Sequence, residues 1–321
     1  MAPPPAQPDP EELGRRLAAG DRGAAPAALN VIEDRSPRGR SAAAALLAAL
    51  GAGGGDAHLV GVTGPPGAGK SSLLSALVAA WRGAGRTVAV LAVDPSSKRS
   101  GGSLLGDRAR IEHDPRDDGV LIRSTAAGGR LGGLAAPTRD AAFALAAAFD
   151  VVVVETVGVG QSETDVEELC DTTAVVVQPA SGDTLQFLKA GIMEVPDVLV
   201  VTKADLGDVA MRARRDLQAA LRSLGVRDTP VVSVSSLPPP AGIDELVDAL
   251  DAHRAGLDVA ATRLRSRRLA ALADFTAEYG ERALRALGGR RAAEKLLAEE
   301  DPSLSVAELA ARLESAAAGT G

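Results

Sequence analysis

The chain has 321 residues, 46% of them hydrophobic and 24% charged, enough to bury one large core or two ordinary ones. Four Phe, one Trp and one Tyr leave too few rings for stacking on bases, and a formal charge of −7, from 35 basic and 42 acidic residues, disfavours a nucleic-acid or anionic-membrane partner. One cysteine, Cys170, excludes an intrachain disulfide and fits a reducing compartment; three scattered histidines, His58, His113 and His253, give no basis for a zinc centre.

Residues 1–10 (MAPPPAQPDP) are proline-rich and acidic, read as a disordered lead rather than a secretory signal. No apolar run reaches the roughly 20 residues that span a bilayer, so a soluble cytoplasmic protein is expected. From 11 to 55, Ala, Leu and Arg recur at helical spacing with breaks at Gly20 and Ser36-Pro37, which predicts a helical N-terminal extension closed by the run GAGGG. Residues 56–258 alternate short apolar runs with helical stretches. The predicted strands are His58–Thr63, Thr87–Val93, Val120–Arg123, Val151–Val154, Thr173–Val177, Val198–Thr202 and Pro230–Val234. Strands apolar on both faces indicate a mostly parallel sheet with helices on each side, the α/β doubly wound class. Helices are predicted over Ile243–Leu257, Thr262–Leu287, Arg290–Glu299 and Ser303–Ala317, the last capped by Ser303. The segment 259–321 is thus a helical extension, either a local bundle or a dimerisation arm.

Between the first strand and the next helix lies Gly64-Pro65-Pro66-Gly67-Ala68-Gly69-Lys70-Ser71, followed by Ser72. This satisfies G-x-x-x-x-G-K-[ST]: the glycines let backbone N–H groups turn around phosphates, Lys70 reaches the β and γ oxygens, and the Ser71 hydroxyl ligates Mg²⁺. The run Val151–Val154 ends in Glu155-Thr156-Val157-Gly158, an acid at the end of a buried strand and a glycine whose N–H can meet a γ-phosphate. Thr202-Lys203-Ala204-Asp205 follows a late strand. In GTPases a carboxylate at this place accepts from guanine N1 and N2 while the lysine stem covers the ring, so this turn is a candidate base site; Ser235, Ser236 and Leu237 follow the next strand, where a backbone N–H would contact guanine O6. Two further polar loops, from Asp94 to Arg108 and around Asp183, Gln186 and Lys189, are long enough to be functional. Only five of the 35 basic residues are lysines, Lys70, Lys98, Lys189, Lys203 and Lys295, and four of them lie in these segments.

These residues resemble the methylmalonyl-CoA mutase-associated GTPases (MeaB, also labelled ArgK, and the human MMAA-like proteins), SIMIBI-class P-loop proteins. The stretches that carry the likeness are GVTGPPGAGKSSL, VDPSS, SGGSLLGDRARIE, VVVETVGVGQSE, GDTLQFLKAGIMEVPDVLVVTKAD and AGIDEL, in order from about residue 60 to 250. The resemblance implies a Mg²⁺-dependent GTPase that acts as chaperone to an adenosylcobalamin-dependent acyl-CoA mutase, gating cofactor loading and protecting the mutase, with the tail as a homodimerisation element. It places Asp94, Asp107 and Glu155 around Mg²⁺ and the attacking water, Lys70 on the phosphates, and Lys189 with Asp183 and Gln186 in a switch that senses the mutase. The chain departs from the family pattern at Thr202, where Asn is usual, at Lys98–Ser100, and in the proline-rich loop SSLPPPAG.

No glutamine stands in the water-positioning place before Gly158, so weak intrinsic turnover with stimulation by the mutase is expected. The competing functions are a kinase of the ArgK type linked to amino-acid transport, a nickel-insertion GTPase, which would need a Cys/His cluster, and a scaffold that holds GTP without hydrolysing it.

Overall fold

The computed structural model describes residues 8–51, 55–94, 111–126, 134–156, 162–179, 196–226 and 228–319. Among the site candidates, Asp107, Gly158 and Lys189 lie outside the described residues, as do Asp183 and Gln186.

The chain divides into two compact units, one of Met1–Asp56, Arg139–Ala148 and Asp258–Gly321, the other of Ala57–Thr138 and Phe149–Leu257. In the first, the lead folds into α1 (Pro10–Ala18), α2 (Ala25–Glu33) and α3 (Pro37–Leu50). The first helix starts inside the predicted disordered lead because Asp9 accepts from the Glu11 N–H and Pro10 needs no N–H at that place. Ser36 caps α3 in the same way through Gly39 N–H at 3.0 Å. Leu13, Leu17, Leu29 and Leu46 are all buried.

The tail of that unit holds α9 (Val259–Ala286), α10 (Arg290–Glu299) and α11 (Val306–Ala318) around Leu272, Phe275, Leu297, Leu309 and Leu313. Two expectations are corrected here. The long helix is broken at Gly280, whose φ of 75° and ψ of 175° lie outside the helical region. The last helix is capped by Ser305, not Ser303. Ser305 and Glu308 form a reciprocal capping box, whereas the Ser303 N–H and hydroxyl are both taken by Asp301.

The second unit contains a seven-stranded parallel sheet: β1 (His58–Thr63), β2 (Val88–Asp94), β3 (Val120–Ala126), β4 (Val151–Thr156), β5 (Thr172–Val177), β6 (Val198–Val201) and β7 (Val231–Ser233). Their order is β3-β2-β4-β1-β5-β6-β7. Alternate side chains serve opposite faces. Val60, Val62, Val153 and Val176 pack with Leu73, Leu77 and Trp81 of α4 (Lys70–Gly83), while Val175, Val177, Leu199 and Val201 pack with Leu217 and Leu221 of α7 (Asp208–Ser223). The second unit also holds α6 (Ser162–Leu169) and α8 (Ile243–Ala255), while α5 (Ala136–Ala146) belongs from Arg139 onward to the first unit. This is the SIMIBI-type P-loop fold. Among the described residues no helix is long and apolar enough to cross a membrane.

At the amino edge of the sheet, opposite the P-loop, His58 is fully buried. Its Nε2 lies 2.8 Å from Thr172 Oγ1, which lies 3.0 Å from His253 Nδ1. Burial, helped by Arg254 and opposed by Asp171 and Asp251, lowers the His58 pKa from 6.5 to about 4. The unfolded chain therefore binds a proton between those values that the folded chain does not, so this group's contribution is complete above pH 6.5 and is lost as pH falls towards 4. Asp140 acts in the opposite sense, its carboxyl pushed up to about 7 chiefly by burial. Replacing His58 by Gln removes one of the two: on going from pH 7 to pH 4.5, urea unfolding will show wild type losing up to about 3 kcal/mol more than His58→Gln. Parallel pH profiles for the two proteins would refute it.

Candidate functional site

Parallel strands end together, so the loops after β1, β4, β5, β6 and β7 gather along one edge of the sheet. The loop after β1 is built on glycine. Gly64 has φ 149° and a Cβ there would strike the Val176 carbonyl; Gly69 takes φ 92° directly before the first residue of α4. The Ala68 N–H bonds back to Pro65 O at 3.2 Å, and Leu73 N–H to Gly69 O at 2.9 Å. The result is a tight turn leading into a helix amino terminus, a combination suited to anions.

Lys70 is buried at the head of α4. Its Nζ donates to Gly64 O at 2.8 Å and Pro65 O at 3.2 Å, and stands 4.0 Å from Glu155 Oε1. Glu155 is buried near the end of β4, in register with Val62 of β1 and Ala92 of β2. Asp94 ends β2, one residue past Val93, which pairs with Thr156; its backbone therefore reaches the same edge. Ser71 and Ser72 continue α4, with Ser71 half-buried.

These groups have the chemistry for Mg²⁺. The ion prefers hard oxygen donors and takes few of them from protein when phosphates supply the rest. Ser71 and Glu155 are such donors, and the buried hydroxyl of Thr156 next to Glu155 has no hydrogen-bond partner among the described residues.

The second half of the site follows β6. Thr202 is buried and its hydroxyl lies 2.6 Å from Ala68 O and 3.2 Å from Val177 O. The residue type that departs from the family pattern thus ties the β6 loop to the P-loop. Lys203, with φ 55° and ψ 41°, opens a 3₁₀ turn over Ala204–Leu206; its Nζ donates to Gln178 Oε1 at 2.6 Å and Gly67 O at 3.4 Å. Asp205 is exposed in that turn, and its Oδ1 accepts from the Ser235 hydroxyl at 2.9 Å. Ser235 pairs both ways with Ala241 at 2.9 Å, closing the proline-rich loop, and its oxygen also receives the Leu237 N–H at 3.3 Å. Ser236 is half-buried and Leu237 is exposed.

Lys70, Glu155, Lys203, Asp205 and Ser235 are therefore brought to one edge, with the P-loop linked to the TKAD turn. The sequence marks Thr202 as a departure from the family pattern without giving it a role, and it does not point to Gln178. Gln178 carries no periodic signal and could be found only from the β5–β6 pairing.

Residues 25–285 match the family model described as methylmalonyl Co-A mutase-associated GTPase MeaB. The chain belongs to the MeaB family of GTPases. A Pyrococcus abyssi protein named as a GTPase is 41% identical over 256 residues, covering 77% of each chain. A Mycobacterium tuberculosis protein named as a GTPase is 42% identical over 250 residues, covering 75% of this chain and 74% of that one. The Caenorhabditis elegans methylmalonic aciduria type A homolog, named as mitochondrial, is 40% identical over 219 residues, covering 64% of this chain and 55% of that protein. The solved structure of an LAO/AO transport system kinase superposes with a TM-score of 0.66 at 30% identity over 98% of this chain and 99% of that one. The MeaB-family chain is a GTPase, and its substrate is GTP.

The Thr202 link sets a prediction for stability. Thr202→Val keeps the shape but strips the buried Ala68 carbonyl of its donor, which costs roughly 1–3 kcal/mol. The urea midpoint should fall with the slope unchanged; an unshifted midpoint would show the link to be dispensable.

Proposed function

We propose that this MeaB-family GTPase requires Mg²⁺ and works as a chaperone to an adenosylcobalamin-dependent acyl-CoA mutase, gating cofactor loading and protecting the mutase. The observation that best supports the nucleotide half of this reading is the double tether of the TKAD turn to the P-loop, through Thr202 to Ala68 O and Lys203 to Gly67 O. Base and phosphate sites are thereby held at a fixed separation, which suits one nucleotide spanning both. Asp205 suits guanine, which offers N1–H and N2–H together; adenine lacks that pair of donors. The mutase half is supported by the family description and by the methylmalonic aciduria name of the worm relative.

In this reading the nucleotide's phosphates lie against the backbone of Gly64 to Ser72, and the Lys70 ammonium turns from the carbonyls of Gly64 and Pro65 to the β and γ oxygens. Mg²⁺, when bound to Ser71 with Asp94, Asp107 and Glu155 nearby, supplies charge neutralisation at the phosphates. Glu155, Asp94 and Asp107 orient the attacking water, Gly158 donates its N–H to the γ-phosphate, and Lys189 belongs to the segment that responds to the mutase. Ser235, Ser236 and Leu237 close the base pocket around O6. The proposed GTPase domain is 56–258, flanked by helical extensions at 11–55 and 259–321, with the second as homodimerisation arm, and the proposed compartment is the cytoplasm.

A second reading, a transport-linked kinase, is favoured by the superposition on the LAO/AO transport system kinase and would require ATP and a phosphate acceptor.

The experiment is steady-state hydrolysis of GTP and of ATP by the purified protein, alone and with a cobalamin-dependent acyl-CoA mutase from the same source. GTP turnover that rises with the mutase, absent for ATP and abolished by EDTA, is expected. Loss of one preorganised phosphate donor typically costs about 10²–10³ in rate, so Lys70→Ala should bring hydrolysis to background. GTP turnover that ignores the mutase would end the chaperone reading, and equal ATP turnover would transfer support to the kinase.

A further inference from the structure

We propose that Gln178 is a positioning residue for the nucleotide base, acting through Lys203; this rests on the reading of Lys203 and Asp205 as the guanine pocket. Gln178 directly follows β5, and β5 pairs with β6 so that Val177 lies opposite Val201. One step further along each strand brings Gln178 beside Thr202 and Lys203, and the Thr202 N–H bonds to Val177 O at 3.0 Å, fixing that juxtaposition.

Lys203 is the only non-glycine residue with positive φ among those described. A side chain on a left-handed backbone leaves the strand in an unusual direction and needs fixed partners to stay there. Two acceptors hold its ammonium, and they are unequal. Gln178 Oε1 at 2.6 Å is a short charge-assisted bond, while Gly67 O at 3.4 Å is near the limit for any hydrogen bond. The amide oxygen is therefore the principal anchor, and the P-loop carbonyl the auxiliary one.

An acceptor at the tip of the side chain has a further consequence, because it fixes the stem as well as the ammonium. The stem of a lysine anchored at its tip forms a rigid apolar wall for a purine face, whereas an unanchored stem would have to be ordered anew by each nucleotide. In this assignment Gln178 acts through Lys203, on the base side of the site, so its influence falls on binding rather than on the chemical step.

The test compares Gln178→Leu, Gln178→Glu and Asp205→Asn in the full-length protein, measuring KM and kcat for GTP and for inosine triphosphate, and Kd for GDP. Inosine lacks the 2-amino group but offers the same ring face. Loss of one charge-assisted bond predicts that Gln178→Leu raises KM and Kd about tenfold with kcat unchanged. Both nucleotides should weaken alike, so that the GTP-to-inosine ratio stays at the wild-type value. Gln178→Glu, which restores an acceptor, should return KM to the wild-type range. Wild-type KM in Gln178→Leu, or a Gln178→Glu variant as impaired as Gln178→Leu, overturns the assignment of Gln178 while leaving the pocket intact. Asp205→Asn should collapse the preference for GTP over inosine triphosphate; if it does not, the guanine pocket itself is wrong and the role of Gln178 falls with it.

Discussion

The hydroxyl of Thr202 is the point on which the site depends. A threonine offers one proton, and here two carbonyls face it, Ala68 in the P-loop and Val177 at the end of β5. Ala68 lies in a turn whose glycines give it conformational freedom, so its position has to come from outside the turn. The shorter distance, 2.6 Å, goes to that carbonyl, and the rigid strand supplies the other end. Because Thr202 is followed directly by Lys203, and Asp205 comes two residues later, whatever fixes the P-loop also fixes the TKAD turn. An asparagine could span the same gap with a longer amide; the shorter threonine performs the link with less side-chain freedom to lose.

Around this link the electrostatics are arranged at some cost to stability. Lys70 and Glu155 are both buried, and an ion pair taken out of water recovers its desolvation penalty only with good geometry and further hydrogen bonds. Their separation of 4.0 Å is loose, and the stronger bonds of Lys70 are to Gly64 O and Pro65 O. A pair held this way stabilises the fold little. Its value lies in keeping an ammonium and a carboxylate close together in a water-poor place, where each acts strongly on phosphate or metal charge.

Much of this was legible in the amino-acid sequence because parallel strands buried on both faces read as continuous valine runs, and the loops that carry the chemistry sit directly after them. VVVV before Glu155 and VLVV before Thr202 mark strand ends to within a residue or two. Details settled by competition between neighbours were harder to read. Ser303 and Ser305 are equally good caps in isolation; Asp301 captures the first and Glu308 completes the second. Gly280 sits in a helical pattern that continues on both sides, so only the backbone reveals the break. Gln178 is one polar residue after a strand, and its contact with Lys203 is created by strand pairing that no local pattern encodes.

The scarcity of lysine finds a physical account in the same geometry. The described residues contain three, Lys70, Lys203 and Lys295, of which Lys295 is exposed on α10. The other two bond to P-loop carbonyls: Lys70 to Gly64 and Pro65, Lys203 to Gly67. A guanidinium could not replace either ammonium on equal terms. Its donors are fixed in a plane, and it is broad. Lys70 must place three donors around a point enclosed by two carbonyls and a carboxylate, a tetrahedral arrangement that suits an ammonium and leaves a planar fork with donors aimed at nothing. Lys203 leaves a left-handed backbone and has to end between Gln178 and Gly67, which a flexible four-carbon chain allows. A sequence that uses arginine nearly everywhere else keeps lysine at these two positions because a compact charge on a flexible stem is what the site's carbonyls accommodate.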